Sequence, residues 1–597
     1  MQRYFLFVDT ETKRIKEKNF IEERFYLGWL RYWDRKENII KDIEFKEQKI
    51  FYNYVLDLMK TINNIIIFAH NTDFDIKVLG GISRFVKNGF DVNNFYIKGK
   101  TFILILKKKN KTICIYDTMN YVPMSLKAIG QSIGIKKMDI DFKTCSDNEL
   151  SIYCKNDVYI IYSFIKKLIM FLESYELSKL KPTVSSLALN IFRHKFYNKK
   201  NNPIYIHGWN KAIELERMSY RGGISDCLKV GEHFKEKIFK LDINSMYAFI
   251  MKNQQIPVKL LYYRDITTCK SSLLFKLYNK HKKQKLIIAR CKIFLPKKYA
   301  YILVKTEINK EKKSMFLSGT FNVTLTSLEL DFVYKYGKII EIYNLAIYEK
   351  SIIFKEYVEF FYQKRIEFDK VNNKAYKLFC KTLLNSLYGK FGQIQTLYSE
   401  KPSEIESYSS RLIIDTITDR SYLEMTLGNK IFEVEETDKN SFDSFVAISS
   451  FITSYARMYL IKLLLSAKRE NVYYIDTDSL FVNQKGYDNL KSYIDNKKLG
   501  LLKLEETSND TSIYRPKYYI FNHIEKCKGV KKSAKILYED NNSLIIEQEQ
   551  FTRFKTSLRK NEFNKQTINY IIKEISKFYD KGSIKSNGDI ISYEVKL

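Results

Sequence analysis

Residues 472–482 read Val-Tyr-Tyr-Ile-Asp-Thr-Asp-Ser-Leu-Phe-Val, two apolar arms closed around a turn that carries two acids. Runs of this length around a polar tip predict a β-hairpin, and burying both arms brings the acids to the rim of a sheet. Asp476 and Asp478 are two residues apart and are expected on one face of that hairpin. A second apolar run, residues 238–243, is strand-like and delivers Asp242 in the same way. Carboxylates gathered at the end of buried strands are a ligand set for a hard cation.

Between these acids lies a strongly helical run, residues 354–388. Lys377, Lys381, Asn385 and Tyr388 fall at i, i+4, i+8 and i+11 and share one helix face, and Gly389 is the expected stop. Lysines one turn apart, ending in an aromatic ring, suit a triphosphate with its base stacked beyond it. Phosphoryl transfer by Asp242 and Asp478 with two metal ions needs no protein nucleophile. A primer hydroxyl attacks, and pyrophosphate leaves.

The N-terminal part repeats the pattern. Phe5-Leu-Phe-Val8 leads into Asp9-Thr-Glu11, whose carboxylates point to one side of a strand. Residues 65–69 lead into His70-Asn71-Thr-Asp-Phe74-Asp75, and Tyr153 and Asp157 stand one turn apart in a helical stretch over 150–173. Asp9, Glu11, Asp75 and Asp157 supply enough oxygen for two divalent ions, a set suited to phosphodiester cleavage, with Tyr153 orienting the attacking water. Oxygen-only ligation predicts Mg²⁺ or Mn²⁺, two ions per site, and not zinc.

Charge and cysteine usage narrow the setting. Lys and Arg number 101 against 68 Asp and Glu, a net charge of +33, so the expected partner is a polyanion. Nucleic acid leads and an acidic membrane surface comes second. The eight cysteines form no CxxC pair, which excludes a zinc ribbon or disulfide framework and fits a reducing compartment. The first residues are not a signal peptide and no apolar stretch approaches a membrane span of about 20 residues, so a soluble, intracellular, cytoplasmic protein is expected. Gly99-Lys100-Thr101 has Asn94 where a phosphate-binding loop needs glycine, and reads as an exposed turn.

The 597 residues exceed one core, and about four domains are expected. Strand-like runs at 4–8, 65–69, 101–106 and 112–116 alternate with helix and predict an α/β layer with a mixed sheet. The lysine-rich stretch 181–202 is expected to be a hinge, a strand is expected at 471–474, and 561–579 reads as an amphipathic basic helix.

These six motifs, in this order, resemble those of the family B DNA polymerases. Asp9-Thr-Glu11, Asn71-Thr-Asp-Phe74-Asp75 and Tyr153-x-x-x-Asp157 are similar to the exonuclease motifs. Asp242-Ile-Asn-Ser-Met-Tyr247, Lys381-x-x-x-Asn385-Ser-x-Tyr388-Gly389 and Tyr474-Ile-Asp476-Thr-Asp478 are similar to polymerase motifs A, B and C. Tyr220-Arg221-Gly222-Gly223 and Lys517-Tyr518-Tyr519 resemble two elements of the protein-primed subgroup, the replicases of small tailed phages and linear plasmids.

The resemblance implies a ribonuclease H-like 3′–5′ exonuclease domain, α/β, followed by an α+β right hand of palm, fingers and thumb. Expected bounds are 1–182 for the exonuclease, 183–253 for the first part of the palm and 254–357 for an insertion that contacts a terminal protein. The fingers follow at 358–392, then an insertion for processivity and strand displacement at 393–446, the second part of the palm at 447–549 and the thumb at 550–597. Ile243, Tyr247, Lys370, Lys377, Lys381, Asn385 and Tyr388 are implied to bind the nucleotide, Ile243 also joining Asp242 and Asp478 at the metals. Lys137 is implied to assist the exonuclease. DNA contacts are implied for Thr12, His70, Asn71, Phe74, Thr118, Met119, Tyr220, Arg221, Gly222, Gly223, Arg515, Lys517 and Tyr519. Implied partners of this monomer are primer-template DNA, dNTPs, a terminal protein and a single-stranded DNA-binding protein.

Met119, Met246 and Ala248 depart from the family's usual Leu, Leu and Pro; Ala248 is expected to loosen the turn after motif A. Three rivals remain in view. A reverse transcriptase sets its two aspartates side by side, whereas Thr477 separates them here. A DNA-binding relative without activity would not need two complete carboxylate sets. An RNA-primed family B enzyme would lack the Tyr220–Gly223 and Lys517–Tyr519 elements.

Overall fold

The computed structural model describes residues 2–17, 20–200, 203–308, 311–416 and 420–596. The N-terminal strand Tyr4–Lys16 lies parallel to Asn64–Ala69 and antiparallel to Ile21–Asp34, in a mixed sheet that continues through Lys111–Asp117, Thr101–Lys108 and Asp91–Lys98. Phe5, Phe7 and Phe68 are fully buried, because one face of this sheet is covered by the long helix Asp147–Ser174. Ser146 and Glu149 close a capping box at the start of that helix, satisfying its first free amides.

The same sheet runs on into the C-terminal segment. Strand Gln566–Ser576 pairs with Ile21–Glu23 at one end and with Ser543–Phe551 along its length, and Lys535–Glu539 forms the far edge. Residues 561–579 are therefore not an amphipathic helix. Ile568, Ile571, Ile572 and Ile575 have helical spacing, but β-branched side chains fit a pleated strand and two neighbours supply its hydrogen bonds. The strands at 535–551 belong to this sheet too, so the C-terminal unit begins before residue 550.

The second centre is an antiparallel five-stranded sheet in the order Leu502–Ser508, Ile238–Ile243, Ser479–Asn483, Val472–Asp476, Ser225–Cys227. Behind it runs the buried helix Val446–Ala467. The helical run 354–388 is two helices, Lys355–Lys370 and Lys374–Phe391, broken at Asn372 in the left-handed region, φ 53°. The second helix passes Gly389 and ends at Gly392, whose lack of a Cβ leaves room for the Tyr220 ring.

Residues 181–202 form no slack hinge. Val184–Ile191 is a capped helix, and Leu187 and Phe192 lie in the main core; Asn201 and Asn202 fall outside the described residues. Residues 256–351 build a separate antiparallel sheet, to which Tyr593–Lys596 adds a parallel strand at Leu317–Thr320. Strands Ile394–Asp415 and Arg420–Asn440 form a long hairpin. Its aromatic residues pack on the first sheet (Phe432 against Phe95) and on the C-terminal unit (Tyr408 stacked on Phe563). Among the described residues no helix is long and apolar enough to cross a membrane.

Candidate active sites

Asp242 ends its strand directly opposite Ser479, beside the hairpin turn, and Ile243 N donates to the Asp478 carbonyl at 2.7 Å. Burial, then Asp478, then Glu505, push the Asp242 carboxyl up to about 7, although Lys381 and Lys240 pull it down. Glu505 bulges out of strand Leu502–Ser508 and is held by Lys240 at 3.0 Å. The sequence reading missed it, since a Glu-Glu pair in an edge strand reads as solvated.

A cavity of about 290 Å³ joins Asp242, Asp478 and Glu505 to Lys377, Lys381 and Asn385 on the facing helix. Arg365 and Lys374 line it as well. Lys370 does not: it is exposed at the end of its helix, where the break at Asn372 turns the chain away. Arg365 reaches the Ser245 hydroxyl inside the cavity. Tyr247 stacks on Tyr388 with ring centroids 4.9 Å apart, and Ser449 Oγ donates to the Tyr388 carbonyl at 2.6 Å. Ala248 begins no loosened turn, being fully buried within helix Met246–Asn253.

Asp478 lines the cavity and Asp476 does not. Thr477 sits in the left-handed region, φ 59°, which ends strand alternation at the turn. Lys517 Nζ grips both Asp476 oxygens at 2.9 Å, and Tyr474 Oη donates to Asp476 Oδ2 at 3.1 Å. Tyr519 packs edge-on against Phe481 beneath the hairpin. Arg515 is half-buried, and its Nε finds no hydrogen-bond partner.

The Tyr220–Gly223 segment abuts this turn. A Cβ at Gly223 would meet Thr477 Cγ2 at 3.0 Å, so glycine permits the approach, and Thr477 N donates to the Ile224 carbonyl at 2.6 Å. Gly222 is open. Arg221 is not available to DNA through its side chain, which is 3% exposed and paired with Glu329 at 2.9 Å. Its charge meets a buried carboxylate from the first turn of helix Ser327–Tyr336, a partner no local pattern announces.

At the other centre, Asp9, Glu11, Asp75 and Asp157 converge. Thr10 Oγ1 donates to Asp75 at 2.8 Å, and Lys137 pairs with Asp157 while lying 4.5 Å over the Tyr153 ring. Burial and mutual repulsion push Asp9 and Asp75 well up, and Glu11 to about 8. Burial alone would lower the Lys137 ammonium, but Asp157 lifts it above its ordinary value. Asp157 Oδ1 is buried with no hydrogen-bond partner. An orphaned carboxylate oxygen beside mutually repelling acids fits a divalent cation.

The flanking residues divide. Asn71 is exposed, and Phe74 packs edge-on against Phe551. These two and Met119 line a groove of about 690 Å³. Thr118 is fully buried, its hydroxyl 2.8 Å from His70 Nδ1, so it supports His70 and presents no hydroxyl to solvent. Burial, then Lys137, push His70 down to about 4, leaving it neutral. Thr12 is tied to Glu23 at 2.5 Å. Asp117, unnoticed in the sequence, accepts from the amides of Asn71, Thr72 and Met119 at 3.2, 2.8 and 2.8 Å and so fixes both segments against each other.

The structure thus sets two acidic centres on two sheets, one of them facing a basic helix across a cleft. Residues 136–468 match the family model described as DNA polymerase type B, organellar and viral, and the chain belongs to that family. It is 26% identical over 508 residues to a probable DNA polymerase of Ascobolus immersus, spanning 80% of this chain and 39% of that relative, so it covers well under half of that protein's length. It is 26% identical to the DNA polymerase of Bacillus phage Nf, over 69% of this chain and 68% of the relative. Its fold is similar to that of Phi29 DNA polymerase complexed with primer-template DNA and incoming nucleotide, with TM-score 0.68 and 17% identity over 96% of this chain and 100% of that one.

Proposed function

We propose that this protein is a DNA-directed DNA polymerase with a 3′–5′ editing exonuclease, and that it starts on a protein primer and displaces the strand ahead. The observation that carries the reading is the cleft in which Asp242, Asp478 and Glu505 face Lys377, Lys381, Arg365 and Lys374. Carboxylates on one wall and cations on the other suit a metal-bound triphosphate.

Asp242 and Asp478 would hold the divalent ions of synthesis, with Glu505 beside them; Asp9, Glu11, Asp75 and Asp157 would hold those of editing. Such ions activate the attacking oxygen and neutralise charge on the leaving one. The chain's own residues position the substrates. Lys377, Lys381 and Arg365 draw in the triphosphate, and the Tyr247–Tyr388 stack bounds the sugar and base. Lys517, anchored on Asp476, faces the primer end, and the backbone of Gly222 and Gly223 guides template past the motif C turn. At the editing site Tyr153 and Lys137 orient water, and Asn71, Phe74 and Met119 receive the frayed strand. Glu505, Lys374 and Arg365 join the site from outside the six motifs.

Protein priming and strand displacement rest on the family, the Tyr220–Gly223 and Lys517–Tyr519 elements, the inserted sheet over 256–351 and the hairpin over 394–440. That hairpin, packed on both the N-terminal sheet and the C-terminal unit, supports a closed path around DNA. Host-cell cytoplasm is the proposed setting, and a terminal protein the proposed primer. The test is extension of a primed single-stranded circle by this protein alone with Mg²⁺ and dNTPs. Products many times the circle's length are expected; synthesis ending after one lap overturns unaided displacement, and no synthesis overturns the polymerase reading.

A further inference from the structure

Cys154 is one residue from Tyr153 on the helix that carries Asp157, and the four-carboxylate account gives it no task. Its Sγ lies 3.4 Å from the Asp9 carbonyl and 3.7 Å from Asp9 Oδ2. Asp9, Glu11 and Cys154 each offer a ligand atom, and these atoms lie within 4.8 Å of one another. The thiol is fully buried, in a small cluster with Leu27 and Leu150. Independently, Asp157, three residues along the same helix from Cys154, has a side chain 4% exposed whose Oδ1 is buried with no hydrogen-bond partner.

We propose that Cys154 turns the Asp9–Glu11 corner of the editing site into a binding site for a thiophilic divalent cation, Zn²⁺ or Cd²⁺. The inference rests on the reading of this centre as the editing site. Zinc–sulfur and zinc–oxygen bonds of about 2.3 and 2.0 Å at a tetrahedral angle set sulfur and oxygen about 3.5 Å apart. The Cys154–Asp9 separation of 3.7 Å is close to that edge, so the two atoms already stand at the spacing one ion would require. On binding, the sulfur–metal bond forms, the S–H bond breaks and the proton passes to solvent. Soft sulfur selects Zn²⁺ and Cd²⁺ over Mg²⁺, which keeps to oxygen. The lining of the synthetic centre of Asp242, Asp478 and Glu505 holds no cysteine; its sulfur is the uncharged thioether of Met246, a far weaker ligand than a thiolate. The two activities of one chain therefore part company when such ions are present: editing is lost while synthesis continues.

The test titrates the full chain with Cd²⁺ and reads the cadmium–thiolate charge-transfer absorption, in the parent and in Cys154→Ser. One equivalent of tight-binding absorption in the parent, absent from Cys154→Ser and weakened in Asp9→Ala, is expected. The companion measurement adds Zn²⁺ to Mg²⁺-supported assays of single-strand degradation and primer extension; degradation alone is expected to fall. Tight absorption that persists in Cys154→Ser, or its absence from the parent, overturns the proposal. So does equal loss of both activities. If the parent degrades no DNA in Mg²⁺ at all, the editing assignment itself fails, whatever the absorption shows.

Discussion

Arg221 Nη2 donates to Glu329 Oε2 at 2.9 Å, which ties the loop between the two acidic centres to the start of helix Ser327–Tyr336. The other Glu329 oxygen takes Arg457 Nη2 at 2.8 Å, and Arg457 in turn donates to the carbonyls of Arg221 and Gly222. Both members of the first pair are almost fully buried, and one carboxylate serves two guanidinium groups. Replacing Glu329 with Gln leaves two positive charges facing each other in the core, and removal of one partner of a buried pair costs about 3–5 kcal/mol. Glu329→Gln is expected to lower the melting temperature and to speed amide exchange through residues 220–224. A melting temperature equal to the parent's would show that the triad adds nothing net.

The two centres lie on different sheets and share no ligand, so they should fail separately. Asp478→Ala is expected to lower primer extension on the order of a thousandfold, since a lost metal ligand forfeits several kcal/mol of charge stabilisation. Single-strand degradation should survive. Asp9→Ala with Glu11→Ala should reverse the pattern. Both activities are read on one preparation; joint loss in either variant would contradict two independent sites.

Tyr247 lies flat on Tyr388, centroids 4.9 Å apart, at the edge of the cleft. A ring fixed in that position is expected to crowd a 2′-hydroxyl on an incoming sugar. Tyr247→Val is expected to raise ribonucleotide use relative to deoxynucleotide by about tenfold or more, the scale of a single steric contact. Steady-state incorporation of matched dNTP and rNTP measures this, and an unchanged ratio would remove the ring from sugar selection.

Asp226 is buried between the five-stranded sheet and the C-terminal segment, where Tyr579 Oη donates to it at 2.8 Å. Burial pushes its carboxyl up to about 6. A raised carboxyl favours the folded state while protonated, so its contribution is present below about pH 4 and is lost as the pH climbs through about 6. Two units amount to about 3 kcal/mol. Asp226→Asn is therefore expected to gain in melting temperature over the parent at pH 7 compared with pH 4.5. A gap that stays constant with pH would mean that the group titrates normally.

The hairpin over 472–482, the strand bearing Asp242 and the basic helix face through Tyr388 were legible because each is a short, local pattern of burial. Apolar arms must be covered, and alternation or helical spacing then dictates where the polar residues emerge. The Asp9–Glu11 pair, Asp75 and Asp157 were legible for the same reason. Patterns of this kind do not record what lies across a gap. Lys370 has the right charge but ends on the outer side of a helix break, while Arg365, five residues earlier, reaches the cavity. Residues 561–579 carry helical spacing, yet two neighbouring strands take their backbone hydrogen bonds.

By itself, then, the sequence determined the acidic motifs, the lysines that line the cleft and the family, each motif being encoded within a few neighbouring residues. Only the tertiary structure decided that Asp476 serves Lys517, that Glu505 joins Asp242, that Arg221 is locked on Glu329 and that Cys154 sits at the Asp9 corner. Each of those pairings joins residues tens to hundreds of positions apart. A buried charge or thiol takes its properties from whatever group packs against it, and chain separation does not encode that neighbour.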